Sequence, residues 1–199
     1  MPPTTNRHEL RRLDTRESLR RVALEQFTQQ GYDAVTVAAL AKAAGVTERT
    51  FYRHFPTKES VLFQDYENHL DWLSTALAMR PRTEDIFDSI LASVQAFPHD
   101  AEIVRQAALL RASLINGDKI VSHLRVVQAS FGSVITDFIK SRNADHPDIE
   151  LFARVAGGAV AAGLVTAVEV WGQGGCAEDL GTLVNRSMEF MKSGLVVTM

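Results

Sequence analysis

The 199 residues are 46% hydrophobic and 23% charged, enough apolar content for a packed core, which excludes a disordered chain. Net charge is only −3, which excludes a uniformly basic protein that coats nucleic acid, yet the charge is polarised: residues 1–60 hold ten Lys/Arg against seven Asp/Glu, a surplus of +3, and the remainder carries −6. A single cysteine, Cys176, rules out an internal disulfide and a multi-thiolate metal site, and the polar start MPPTTNRHEL carries no apolar signal segment, so a reducing cytoplasm is the expected compartment.

Strand signals are nearly absent and helical periodicity recurs throughout, which predicts an all-α fold: a three-helix amino-terminal head over residues 1–58 and a larger helical body over 59–199. The first helix is expected from Asp14, whose carboxylate can cap the amides while Glu17 completes a capping-box pattern. Leu19, Val22, Ala23 and Phe27 form its apolar stripe, and Gly31 is a left-handed stop. A short second helix runs from about Val37 to Ala44, with Leu40 and Ala44 inward and Gly45 ending it. Thr47 caps the third helix and Pro56 closes it. Thr57 is expected to cap a long fourth helix with Leu62, Phe63, Tyr66, Leu70, Leu73 and Leu77 at helical spacing, closed by Arg80-Pro81. Longer helices follow at about 83–97, 99–116, 118–142, 147–172 and 177–193.

The third helix carries the most specific chemistry. With successive residues 100° apart, Phe51 and Phe55 define a buried direction, and Arg49 and Arg53 fall almost opposite. Helix, glycine turn, short helix is the helix-turn-helix arrangement, in which the second helix enters the major groove. Two guanidiniums on its outer face suit the O6/N7 edge of guanine, whereas the hydroxyls of Thr50 and Tyr52 and the ammonium of Lys58 suit phosphate. Of the basic amino-terminal arginines, Arg11 and Arg12 are candidates for the minor groove or the DNA backbone, against the plainer reading of a solvated arm.

The body is less explicit. Residues 147–172 concentrate Gly157, Gly158, Ala159, Ala161, Ala162 and Gly163, a surface that lets another helix approach closely, inside the subunit or across a dimer interface. The uncharged run between Arg154 and Glu169 is too short to cross a bilayer and is read as a buried helix. Trp72, Phe87, Phe97, Phe131 and Trp171 are candidate walls of a pocket for an apolar effector, with plain core as the alternative. Arg105, Arg111 and His123 interrupt apolar helices and are candidates to hold an anionic group, or are solvated face residues. No hydrolase, phosphate-loop or metalloprotease motif occurs, the six histidines lack ligand spacing, and Cys176 is more readily inert than a redox switch; no catalysis, metal or cofactor is expected.

TVAALAKAAGVTERTFYRHFPTKESV, residues 36–61, resembles the DNA-binding signature of TetR-family transcriptional regulators, in particular through Thr36, Ala41, the Ala44-Gly45-Val46 turn, Phe51-Tyr52, His54-Phe55 and Thr57-Lys58-Glu59. The resemblance implies an α-helical homodimer with two heads on a palindromic double-stranded DNA operator, acting as a repressor that a small-molecule effector releases. It also implies that Thr36, Tyr52 and Lys58 touch phosphates and that Glu48, Arg49, Thr50 and His54 face the groove or its edge, with Arg53 at a variable position. The last two long helices would form a four-helix dimer interface, to which Gly158, Ala162, Met188, Phe190, Met191 and Leu195 are assigned. The carboxy-terminal region is loosely similar to regulators of the mycofactocin and acyl-group type, which implies an acyl thioester or another amphipathic effector. The competing reading is a helical adaptor whose helix-turn-helix no longer reads DNA.

Overall fold

The computed structural model describes residues 7–98, 100–114 and 117–194, with side chains in the first helix from Arg12 onward; the side chain of Arg11, and Leu195, lie outside the described residues. Every regular element among the described residues is helical, so the fold is all-α as expected. The chain forms two compact units, one through Gln64 and one from Asp65.

In the first unit, α1 spans Arg7–Gln30, α2 Val37–Ala43 and α3 Glu48–His54, followed by a 3-10 turn over Glu59–Phe63. The start at Asp14 is corrected: the helix begins seven residues earlier, because Glu9, Leu10, Arg11, Arg12 and Leu13 are good helix formers and a capping residue inside such a run has no break to cap. Leu19, Ala23, Leu24 and Phe27 of α1 close on Leu40 and Ala41 of α2 and on Phe51 and Phe55, all at most 2% exposed. Leu24 was not in the expected stripe, and Ala41 takes the inward place expected of Ala44, which is only half-buried.

Gly45 has φ +67 and ends α2 with paired bonds, its own N–H to the Lys42 carbonyl at 3.1 Å and the Val46 N–H to the Ala41 carbonyl at 2.9 Å. That glycine turn sets the direction in which α3 leaves. Thr57 does not cap a long helix. Its N–H donates to Ser60 Oγ at 3.1 Å while the Ser60 N–H donates back to Thr57 Oγ1 at 3.2 Å, and this reciprocal box opens the 3-10 turn. The turn buries Glu59 to Phe63 consecutively, which an amphipathic α-helix cannot do.

The body holds α4 (Gln64–Ala78), α5 (Ile86–Gln95), α6 (Ala101–Ser113), α7 (Asp118–Arg142), α8 (Ile149–Gln173) and α9 (Leu180–Lys192). Asp85, Asp100 and Asp179 cap α5, α6 and α9 by accepting from backbone amides at 2.8–3.3 Å, which moves the first two starts from the expected 83 and 99. The Arg142 guanidinium donates to the carbonyls of Arg80 at 2.7 Å and Pro81 at 2.6 Å and fixes the loop after α4.

The small residues of α8 serve several neighbours. An added Cβ at Gly157 would stand 2.4 Å from Thr136 Oγ1 on α7, at Gly172 2.6 Å from the Ala108 carbonyl on α6, and at Gly163 2.8 Å from Met191 Cε on α9. Glycine therefore permits three close approaches within one protomer. Met188 is corrected as an interface residue: it is 1% exposed, and its methyl group lies against Gly163 in its own chain. Met191 is half-buried on the same glycine, Ala162 is half-buried and Gly158 is exposed. By length and composition α8 could cross a membrane, which corrects the shorter estimate, but its buried face packs on α6, α7 and α9.

Candidate functional site

Two features of the structure have functional geometry. The first is the outer arc of α3. Phe51 and Phe55, both 0% exposed with ring centroids 5.7 Å apart, anchor the helix from below. Glu48, Arg49 and Arg53 are exposed, Thr50 is half-buried, and Tyr52 is 50% exposed with its ring held edge-on against Phe51 at 5.6 Å. Thr47 caps the helix by accepting from the Thr50 N–H at 3.2 Å, and Thr36 caps α2 by accepting from the Ala39 N–H at 3.2 Å. Accepting from an amide leaves the Thr36 hydroxyl its own proton to donate, whereas the Thr47 and Thr50 hydroxyls stand 3.1 Å apart and share a hydrogen bond. Arg12 is exposed on α1.

Two residues differ from expectation. The Lys58 ammonium is committed inside the head: it donates to the carbonyls of Tyr32 at 2.8 Å and Val35 at 2.9 Å and sits 4.0 Å from the Tyr32 ring centroid. It ties the α1–α2 connection to the residues after α3, which a free phosphate anchor would not do. His54 is 8% exposed, so its placement on the groove edge is corrected; four positions from Thr50 and three from Phe51, it follows the phenylalanine inward, and its Nε2 meets no hydrogen-bond partner among the described residues.

Burial, then the charges of Arg53, Arg16 and Arg12, hold the His54 pKa below its ordinary 6.5. The unfolded chain therefore takes up a proton before the folded head does, so this stability is full above pH 6.5 and declines as pH falls below it toward the lowered folded value. Melting of the head followed by circular dichroism is expected to show that acid-side decline, and His54→Leu to remove it. An identical pH profile in the variant would assign the acid sensitivity elsewhere.

The second feature is a cavity of about 670 Å³ in the body, walled by α4, the end of α5, α6, α7, α8 and the start of α9. Of the sequence candidates it brings together Phe97, Arg105, Phe131 and Trp171. Trp72 stands behind Phe97, ring centroids 6.1 Å apart, with its indole N–H donating to the Ser93 carbonyl at 3.0 Å. Phe87 lies under the Lys192 ammonium, and His123 is half-buried on α7; neither is part of the lining.

Arg111 is not an open anion site. It is 4% exposed, its Nη1 donates to Asp65 Oδ1 at 2.9 Å, and its guanidinium lies 4.6 Å from the Tyr66 ring centroid. Burial alone would lower its pKa, but the Asp65 carboxylate and Tyr66 outweigh that and raise it; burial also raises Glu169, against the pull of Arg111. Reading the sequence missed Tyr66, His69, Val104, Leu164, Val165 and Val168 as lining residues. Leu164, Val165, Val168 and Trp171 do repeat at helical spacing, but that signal is the same for a cavity wall and a solid core.

Comparison with known proteins agrees with this two-part architecture. Residues 19–64 match the family described as bacterial regulatory proteins of the tetR family, and residues 84–196 match the MftR C-terminal domain. The chain belongs to the TetR family of transcriptional regulators. It is 26% identical over 143 residues to MftR of Mycobacterium tuberculosis, described as a mycofactocin biosynthesis transcriptional regulator, covering 71% of this chain and 72% of that one. It is 37% identical over 94 residues to the regulator TcmR of Streptomyces glaucescens, covering 47% of this chain and 41% of that one. The crystal structure of Thermus thermophilus FadR in complex with lauroyl-CoA shares the fold, with a TM-score of 0.56 at 21% identity over 92% of this chain and 96% of that one.

Proposed function

We propose that the chain is a cytoplasmic, homodimeric repressor that binds a palindromic DNA operator through α3 and leaves it when a small molecule enters the body cavity. The observation that carries this reading is the outer arc of α3, where Arg49, Tyr52 and Arg53 stand exposed around two fully buried phenylalanines. Arg49 reads guanine, Glu48 accepts from a cytosine amine or stays at the helix start, and Thr36, Thr47, Thr50 and Tyr52 position the phosphates, with Arg11 and Arg12 adding backbone charge. The role is one of binding, not catalysis.

Dimerisation is supported by α8, which presents Leu151, Phe152, Val155 and Val170 at 44–68% exposure beside exposed Gly158, with Phe190 of α9 57% exposed. An apolar stripe of that extent on a protein of this size marks a face that another chain covers. The effector is amphipathic, since aromatic and aliphatic side chains line most of the cavity and charged groups stand among them. It acts only if it binds one head spacing better than the other.

Selection of double-stranded DNA from a randomised pool, followed by sequencing, tests the reading. Enrichment of a palindrome with half-sites about one helical turn apart, or a multiple, supports it. No enrichment with or without cell extract small molecules would favour the adaptor. In the same assay Arg49→Ala is expected to relax preference at one base pair per half-site, by about 1–3 kcal/mol, whereas Tyr52→Phe weakens all sequences alike. An Arg49→Ala variant that selects an unchanged motif would remove Arg49 from base readout.

A further inference from the structure

The exposure of the cavity lining locates its mouth. Among the described lining residues, Gln95, Ala101, Glu102 and Arg105 on one side and Glu178 and Asp179 on the other are exposed, whereas Tyr66, Phe131, Val165 and Trp171 behind them are buried. The mouth therefore lies between two lips: the end of α5 with the start of α6, and the loop between α8 and α9. Gln95 spans them beside the opening, its Nε2 donating to Asn185 Oδ1 at 2.8 Å.

The two lips are held differently. At the first, the Trp72 indole N–H donates to the Ser93 carbonyl at 3.0 Å and Phe97 stacks on His69 with centroids 4.3 Å apart, which fastens the end of α5 to α4. Helix α8 is likewise fixed up to its last turn, where Gly172 lets the Ala108 carbonyl of α6 approach. Beyond it the loop turns on Gly175 at φ +69 and Cys176 at φ +56. A non-glycine residue adopts that left-handed backbone only against strain, so other bonds must hold it there. Trp171 supplies them: its carbonyl accepts from the Cys176 N–H at 2.8 Å, and its indole N–H donates to the Glu178 carbonyl at 2.8 Å. The same indole is a buried wall of the cavity, so a molecule that displaces the ring loosens the loop.

Resting on the effector reading above, we propose that small molecules enter the cavity between these lips, and that the α8–α9 loop is the moving lip, latched by the indole of Trp171 on the Glu178 carbonyl. Release of the latch lets the left-handed turn relax and carries the first turn of α9 outward. Trp171 is then a positioning residue for entry as well as a wall, and it governs how fast the cavity fills more than how tightly it holds its contents.

The test uses the full chain with dodecanol as an uncharged apolar probe, followed by stopped-flow tryptophan fluorescence and calorimetry. Trp171→Phe keeps an aromatic wall, removes the donor and leaves Trp72 as the reporter. Association and dissociation are both expected to quicken about two- to tenfold, the worth of one hydrogen bond, with Kd changed by less than about threefold. Burial pushes the pKa of the Cys176 thiol up in the latched loop, and its modification by an aromatic disulfide reagent is expected to quicken in the variant as well. A weaker Kd with unchanged entry would leave Trp171 a wall alone and overturn the latch. In a Cys176→Ser background, Gln95→Cys/Asn185→Cys bridged by a short bismaleimide is expected to take up dodecanol about tenfold or more slowly than the same variant unbridged. Equal entry with and without the bridge places the mouth elsewhere and overturns the proposal. No uptake of dodecanol by the parent chain overturns it together with the effector reading, and the DNA selection then decides the regulator reading separately.

Discussion

Replacing Arg111 by leucine is expected to destabilise the body by about 3–5 kcal/mol, because the substitution takes the guanidinium from the Asp65 carboxylate, itself 8% exposed. The pair joins the first turn of α4 to α6, and the guanidinium also covers the Tyr66 ring, so the variant loses a cation–π contact as well. Two charges taken from water gain little over a well-packed apolar pair, whereas one stranded charge is costly. The double variant Arg111→Leu/Asp65→Leu is therefore expected to recover most of the loss. Urea unfolding of the wild type, both single variants and the double variant measures the coupling directly. Single variants that unfold within 1 kcal/mol of the wild type would show that the pair is not what holds α4 to α6.

The cost has a functional side. Asp65 and Tyr66 are lining residues of the cavity and begin α4 at the carboxyl end of the 3-10 turn. The same buried pair therefore sets both the stability of the body and the polar end of its cavity.

How much of this was legible in the sequence differs between the two features. The head is encoded locally: Thr36, Gly45, Thr47, Phe51 and Phe55 lie within 20 residues, each with a backbone or burial role that short-range rules describe. Even there, His54 was placed at the groove edge through the family resemblance, which matches a motif position but does not say which way its side chain faces. Lys58 was misread for a different reason, since its partners Tyr32 and Val35 are more than 20 residues away. The cavity is assembled from six helices, and a wall residue such as Val165 has the same periodic signature as a core residue such as Val160. Arg111 looked like a polar interruption because Asp65 lies 46 residues earlier and no local pattern joins them. Met188 looked like a candidate for an interface because its actual neighbour, Gly163, leaves no apolar mark in the sequence.

Phe51→Ala is expected to abolish DNA binding by unfolding the head rather than by removing a contact. Phe51 is 0% exposed and touches Phe55 and Tyr52 at once, so truncation removes a ring from the buried layer beneath the outer arc. Loss of a fully buried phenylalanine costs about 3–5 kcal/mol through lost transfer energy and the cavity left behind. A head of some sixty residues has little more stability than that to lose. Arg49 and Arg53 would then no longer be held on one face, although neither touches the deleted ring. The prediction separates two failures that a binding assay alone confuses. Phe51→Ala should lose helical signal and resistance to proteolysis in the head while the body still takes up its apolar probe, whereas Arg49→Ala should stay folded and lose only its preference for one base pair. A Phe51→Ala variant that keeps a folded head and the parent operator would show that Phe55 and Leu40 suffice to anchor α3.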